Sequence, residues 1–320
     1  MKNSDLIKFL KHRAKHDTPK VFMFRIIRLA IIFLYRLQMN RYFRYMRKYY
    51  SCWHVFEIQG NKMELDTTAS GISRDLIYNG KREPYANAKW ISMLNADDVV
   101  VDIGANIGYY ALQEARVAKK VYAFEPGNHS FAELMGNIIL NDIKNITPAQ
   151  VAIGDRVGTA DFYKTQDSNL CTLYPTREFS QKYKVCLFTL DSIMAGKEYP
   201  TAVRMDVEGY EYEIINGMTG LLEQQQPMKL FIELHLDILG PDKVRELAST
   251  LKSYGFRIVT ASIEPHPAVM KYKLGRKLTG YCDRQIGAPQ GYFDITFNEL
   301  RTEEKYTNGQ IEWLEIILER

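Results

Sequence analysis

Asp206, Glu233 and His235 stand at the ends of two apolar runs, Thr201–Val207 and Lys229–Leu234. A carboxylate or imidazole at the end of a buried strand can take a proton from a hydroxyl group, or orient that group. His235, with an ordinary pKa of about 6.5, is the nearest of the three to neutrality and the first candidate base. Asp206 would need a raised pKa, or would hold the acceptor hydroxyl in line. Glu233 and His235 come beside Asp206 because neighbouring strand ends converge. With Glu208, the three could also hold a divalent cation that lowers the pKa of a hydroxyl. Their spacing is not a tight ligand pattern, and no metal is assigned. Glu208 and Glu211 also suit the positive end of the helix that follows.

A second group lies a hundred residues earlier. Val99–Tyr110 reads VVVDIGANIGYY, and Val121–Pro126 reads VYAFEP. A buried strand ends on Asp102, a glycine turn from Gly104 to Gly108 opens a helix at Tyr109, and the next strand ends on Glu125. A strand, a glycine turn, a helix and an acid about 20 residues on is the layout that binds an adenosine moiety. The glycines admit ligand to the backbone, and the acid accepts hydrogen bonds from ribose hydroxyls. The spacing is GxxxG rather than GxGxxG, so the pyrophosphate cradle is missing. That favours an adenosyl ligand without phosphates, S-adenosylmethionine (SAM). The third strand's end, Val151–Asp155 with Ala152, would meet the adenine.

These residues need a scaffold of strands whose carboxyl ends share one edge. Apolar runs recur at Val99–Ile103, Lys120–Phe124, Thr147–Ile153, Thr201–Val207, Lys229–Leu234, Phe256–Thr260 and Tyr292–Phe297, with helical stretches between them. The alternation predicts an α/β fold, a Rossmann-like, doubly wound, mostly parallel seven-stranded sheet. The last strand follows a long loop and could run antiparallel. Ahead of the sheet, His54–Ile58 and Lys62–Asp66 read as a hairpin. Arg82 and Glu83 fall just before the glycine-turn region, where they could face cofactor or acceptor. The expected domains are a basic extension at 1–53, the hairpin and helices at 54–97, a catalytic domain at 98–300 and a C-terminal helix at 301–320.

Charge divides the chain unevenly. Residues 1–50 hold 13 Lys/Arg against two acids, whereas the remainder holds 29 against 36. Val21–Met39 is apolar but interrupted by Arg25, Arg28 and Arg36, and Arg41–Tyr50 alternates cations with aromatics. The longest charge-free run, Leu29–Tyr35, is far short of the roughly 20 residues a spanning helix needs. On a helix the three arginines share one side and leave the other to Phe, Ile and Leu. Two readings follow for residues 21–50, an amphipathic helix on an anionic membrane or an extension packed on its own domain. Nucleic acid is a weaker fit, since no nucleic-acid module accompanies the arm. Four scattered cysteines without a CxxC pair suit a reducing cytosol, and Met1–Lys20 lacks an apolar signal segment. The expected location is cytoplasmic, peripheral at the inner face of the membrane.

Taken together, the chain resembles the FkbM-type family of SAM-dependent methyltransferases. The pieces that carry the resemblance are REP at Arg82–Pro84, DIGANIGYY at Asp102–Tyr110, FEP at Phe124–Pro126, Asn137–Asn141, and AIGD at Ala152–Asp155. Downstream they are TLD at Thr189–Asp191, MDVEGYE at Met205–Glu211, and IELH at Ile232–His235. DIGAN alone is shared widely, and the DVEGxE element about 100 residues later makes it specific. The resemblance implies O-methylation of a hydroxyl or carboxylate on a glycan, glycolipid or related metabolite. It implies that Asp102, Gly104, Asn106, Gly108, Tyr109, Glu125 and Pro126 bind SAM and that the DVEG element borders the acceptor. The Thr165–Val185 and Ala261–Gly291 segments, the second with Lys271, Lys273, Arg276 and Lys277, would form the acceptor pocket. The competing readings are an RNA (tRNA) base methyltransferase and a SAM-binding module without turnover at a membrane.

Overall fold

The computed structural model describes residues 11, 13–14, 17–49, 52–165, 170–175, 179–286, 288, 290–307 and 311–320. Its centre is an eight-stranded sheet. Five strands run parallel in the order β5 (Ile146–Ala149), β4 (Lys120–Phe124), β3 (Val99–Ile103), β9 (Ala202–Met205) and β10 (Lys229–His235). The chain winds outward through β3, β4 and β5, then returns to build β9 and β10 on the other side of β3. That reversal is the topological switch point, where strand ends part and leave room for a ligand.

Val99–Ile103 is buried along its whole length because helices cover both faces of the sheet. Val99, Val101 and Ile103 join one core layer with Met205 and Ile232, while Val100 joins the other with Ala202 and Phe231. Asp102 shares the second face. The register sets it directly opposite Arg204 on β9. Helix α4 (Tyr109–Glu114) leaves the β3 turn, and α5 (Asn128–Leu140) follows β4. Asn137 and Asn141, motif residues near the end of α5, act structurally. The Asn137 side chain donates to the Ile107 carbonyl and accepts from Glu64 N–H, while Asn141 exchanges hydrogen bonds with Lys62. They tie the hairpin β1 (Trp53–Ile58) and β2 (Asn61–Asp66) to the glycine turn.

Three expectations are corrected. The sheet has eight strands rather than seven, and the third apolar run splits. Its second part, β6 (Ala152–Ile153), pairs with β8 (Gln181–Phe188) in a separate three-stranded sheet completed by β7 (Gly158–Lys164). The C-terminal helix expected at 301–320 is instead a central strand. Two short helices at Phe297–Thr302 and Glu304–Thr307 precede β13 (Trp313–Glu319), which lies antiparallel between β10 and β11 (Arg257–Ile263). A strand buried on both faces reads as a continuous apolar run, which periodicity cannot tell from a buried helix. The run at Tyr292–Phe297 contributes only β12 (Gly291–Phe293), antiparallel at the sheet edge. Ile316 in β13 is fully buried against the main core. Ile316→Ala is expected to cost about 2–5 kcal/mol, read as a lowered urea midpoint with an unchanged slope.

The basic extension forms α1 (Pro19–Tyr49), which packs on α10 (Pro267–Met270) and α11 (Lys273–Gln285). The expected faces hold only in part. Arg25 is buried on Asp17 and Arg28 pairs with Asp283, whereas Arg36 is exposed. Ile32, Met39, Phe43 and Met46 are buried, while Phe33, Leu34 and Leu37 are left exposed. Lys271, Lys273, Arg276 and Lys277 lie on or just before α11, and all four are exposed. Lys271 stands over the Tyr42 and Tyr78 rings, 5.5 and 4.9 Å from their centroids. No helix among the described residues is long and apolar enough to cross a membrane.

Candidate active site

The switch point opens into a cavity of about 800 Å³, part of it open to solvent. Its wall is built where β3, β4 and β9 end. Gly104 takes a left-handed conformation, φ +80°, and a Cβ there would come within 2.1 Å of the Asp206 carbonyl oxygen. Only glycine therefore lets the turn lie against the β9 end. The N–H groups of Gly104 and Ala105 both donate to the Phe124 carbonyl, at 2.9 and 3.1 Å, which holds the turn against the β4 end. Asn106 also adopts a positive φ, and its side-chain Oδ1 is buried with no hydrogen-bond partner.

Glu125 is fixed from two sides. Its carboxylate accepts from Gly127 N–H at 2.7 Å and Asn106 N–H at 2.9 Å. Each oxygen keeps a further lone pair for a ligand hydroxyl. Burial pushes the carboxyl up to about 7, against the pull of those two N–H bonds. The folded chain therefore holds this proton more tightly than the unfolded one. Stability from this group is lost as pH rises from the ordinary value of 4.5 to about 7. Ligand hydroxyls favour the opposite state, because an ionised carboxylate is the stronger acceptor. SAM affinity is expected to increase as pH passes upward through about 7, with Glu125→Gln weak and flat across the same calorimetric titration.

Of the residues expected to bind cofactor, Gly104, Asn106, Tyr109, Glu125, Pro126 and Ala152 line this cavity. Gly108 and Asp102 do not. Gly108, φ +92°, caps α4 and packs on Leu134. Asp102 is fully buried beneath the wall, where its Oδ1 accepts from Arg204 at 3.0 Å. The expected acceptor segment at 165–185 contributes Cys171, Thr172 and Leu173 to the wall, and residues 166–169 and 176–178 lie outside the described residues. The segment at 261–291 contributes none of its four cations.

The strand-end group divides. Asp206 lines the cavity, as do Glu208, Arg82 and Glu83, whereas Glu233 and His235 lie outside its wall. The raised pKa expected of a base at Asp206 is not found: burial would raise the carboxyl, but Arg204, Arg82 and His235 outweigh it and hold the group below its ordinary value. Burial, with Asp206 and Glu83 nearby, pushes Glu233 well above the carboxylate range. His235 is not the free base its ordinary pKa suggests. Its Nδ1 lies 2.7 Å from Glu211 Oε1 and its Nε2 3.3 Å from Glu208 Oε2. Burial alone would lower its pKa, yet these two carboxylates raise it well above 6.5 and keep the ring protonated at neutral pH. The potential ligand atoms of Asp206, Glu208 and His235 lie within 4.8 Å of one another, as do those of Glu83, Asp206 and Glu233. Arg82, Arg204 and the imidazolium already supply positive charge to these carboxylates.

Arg204 is the residue that motif reasoning passed over. It is 3% exposed, bridges Asp102 and Asp206, and stacks 3.6 Å from the Tyr110 ring centroid. Tyr110 in turn donates to Glu83 at 2.8 Å, and Tyr109 exchanges hydrogen bonds with the Arg82 backbone. The signal was present as Arg-x-Asp on a strand, since alternate residues share a face. Together these groups can seat an adenosyl ligand at the glycine turn and present an ionised carboxylate beside it.

Residues 102–258 match the family model described as the methyltransferase FkbM domain. A hexuronic acid methyltransferase, AglP of Haloferax volcanii, is 30% identical over 160 residues, 49% of this chain and 63% of that protein. The chain thus spans somewhat less than two thirds of that relative. Among solved structures, a methyltransferase FkbM from Methylobacillus flagellatus aligns at 18% identity and a TM-score of 0.40, covering 55% of this chain and 43% of the other. TYW2 of M. jannaschii, solved with AdoMet, aligns at 13% identity and a TM-score of 0.39 over 84% and 85% of the two chains. The glycine turn and the DVEG strand end both fall inside the span that matches the FkbM methyltransferase domain model.

Proposed function

We propose that the protein transfers the methyl group of SAM to an oxygen of a sugar-bearing acceptor, a glycan or glycolipid hydroxyl. The observation that carries this reading is Asp206, an ionised carboxylate in the same cavity wall as Glu125 and the glycine turn. The residues present fit SAM. Gly104 lets the glycine turn lie directly against the β9 end beside the cavity, Asn106 Oδ1 is an unmatched acceptor in the wall, and Glu125 has lone pairs to spare. Glu125 would hold the ribose hydroxyls, Asn106 and Gly104 the backbone side of the ligand, and Ala152 and Pro126 the adenine side. When bound, SAM supplies a methyl group already activated by its sulfonium.

The protein's own task is then to hold the acceptor oxygen in line and receive its proton. Asp206 first holds the acceptor hydroxyl in line through a hydrogen bond and, with its pKa lowered rather than raised, takes the proton only as alkylation makes the oxygen strongly acidic. Arg204 and Arg82 keep that carboxylate charged and aimed. His235, pinned between Glu208 and Glu211, positions the DVEG turn rather than abstracting the proton. The similarity to a hexuronic acid methyltransferase supports a sugar acceptor. The test is incubation of the full chain with SAM and uronic-acid-containing oligosaccharides, read by mass spectrometry. A methyl-sized increase on the sugar supports the reading. SAM binding without transfer to any extracted glycan or lipid would leave a binding module instead.

A further inference from the structure

Among the described residues, the long helix α1 leaves one side uncovered along its length. Ile26, Ile27, Phe33, Leu34 and Leu37 are all exposed, Phe33 by 60% and Leu34 by 62%. At 100° per residue these positions fall in one stripe about 120° wide, which Arg41, Arg44, Tyr45 and Lys48 continue toward the C-terminus. The opposite face holds Ile32, Met39, Phe43 and Met46 in the core. Helix α11 extends the stripe sideways. Its Leu274, Leu278 and Tyr281 are exposed, and Phe24 meets Tyr281 edge-on at 5.7 Å. A monomer in water rarely presents an apolar band of this length.

The exposed charge on the two helices, among the described residues, is of one sign. Helix α1 contains no Asp or Glu, and the only acid of α11, Asp283, is buried and paired with Arg28. Arg41, Arg44, Arg47 and Arg74 line one groove at the C-terminal end of the band. Arg74 belongs to α2 (Ile72–Asn79), whose first residue lines the candidate active-site cavity. One short helix therefore joins the groove to the catalytic wall.

We propose that α1 and α11 form a platform that docks on an anionic lipid bilayer, with the apolar band in the acyl boundary and the arginine groove on headgroup phosphates. An interfacial helix needs these two parts, apolar residues on one face and cations at headgroup level. A second copy of the chain is the poorer occupant. Two parallel stripes would set the cationic ends together, and two antiparallel stripes would set cations against the apolar halves. This surface is independent of which oxygen is methylated, so its test stands apart from the turnover assay.

The test is co-sedimentation of the full chain with vesicles of phosphatidylcholine, with or without phosphatidylglycerol. Binding is expected with phosphatidylglycerol and to weaken as salt is added. The F33E/L34E and R41Q/R44Q/K48Q variants are each expected to bind about a hundredfold more weakly. Both are expected to keep wild-type SAM affinity, which reports an intact fold. Equal sedimentation with both vesicle types, or variants that bind like wild type, would overturn the proposal. So would a lipid-free dimer, seen by sedimentation velocity, that F33E/L34E dissolves.

Discussion

Asp206→Asn is expected to lower kcat by about 10²–10⁴-fold while the SAM dissociation constant stays unchanged. The asparagine keeps the shape of the side chain and can still accept from Arg204 Nη2, which lies 3.1 Å from Asp206 Oδ2. What it removes is the negative charge and the site for the hydroxyl proton. Arg204 retains Asp102 as its partner, so the buried guanidinium is not stranded. The loss should therefore appear in turnover and only weakly in melting temperature. Isothermal calorimetry with SAM and a radiolabelled methyl-transfer assay separate the two quantities. Full turnover in the variant with normal SAM binding would remove Asp206 from the mechanism. Glu125→Gln is expected to show the converse pattern, with weakened SAM binding as the primary loss.

The second large effect belongs to Gly104. Gly104→Ala adds a Cβ 2.1 Å from the Asp206 carbonyl oxygen at a backbone φ of +80°. The left-handed conformation alone costs an alanine about 1–2 kcal/mol, and relieving the contact adds about 1–3 kcal/mol more. Because the atom struck is backbone, relief must part β3 from the β9 end or turn the peptide. Either movement shifts Asp206 and the turn that faces the ligand. The variant is expected to lose measurable SAM binding as well as stability. Gly196→Ala is the control, since Gly196 has φ +72° but nothing within 4 Å of the added atom. It should show the conformational cost without the loss of binding. Equal effects at both positions would mean that strain, not the close approach, makes Gly104 a glycine.

Much of this site was legible in the chain itself because its chemistry is local. The glycine turn, the acid 21 residues beyond Gly104 and the DVEG strand end are runs of consecutive residues. Their backbone conformation follows from glycine freedom and from strands that end where apolar runs end. The parallel sheet followed likewise from the alternation of strand and helix. The basic extension was legible as an amphipathic helix, since its periodicity is a property of one segment.

What the tertiary structure decided is which of these groups meet, and in what charge state. His235 has the composition of a base, but Glu208 and Glu211 close on both of its nitrogens and hold it protonated. Asp206 has the composition of an ordinary acid, but Arg204 and Arg82 keep it ionised in a buried wall. The direction faced by α1 also depended on partners remote in sequence: Arg28 pairs with Asp283 and Met39, Phe43 and Met46 pack into the core, while Phe33 and Leu34 stay exposed. β13 found its place only by pairing with β10 and β11 from the far end of the chain. Sequence spacing determined the cofactor turn because short-range sterics govern it. Protonation, burial and strand order were set by long-range contacts, which no local run of residues encodes.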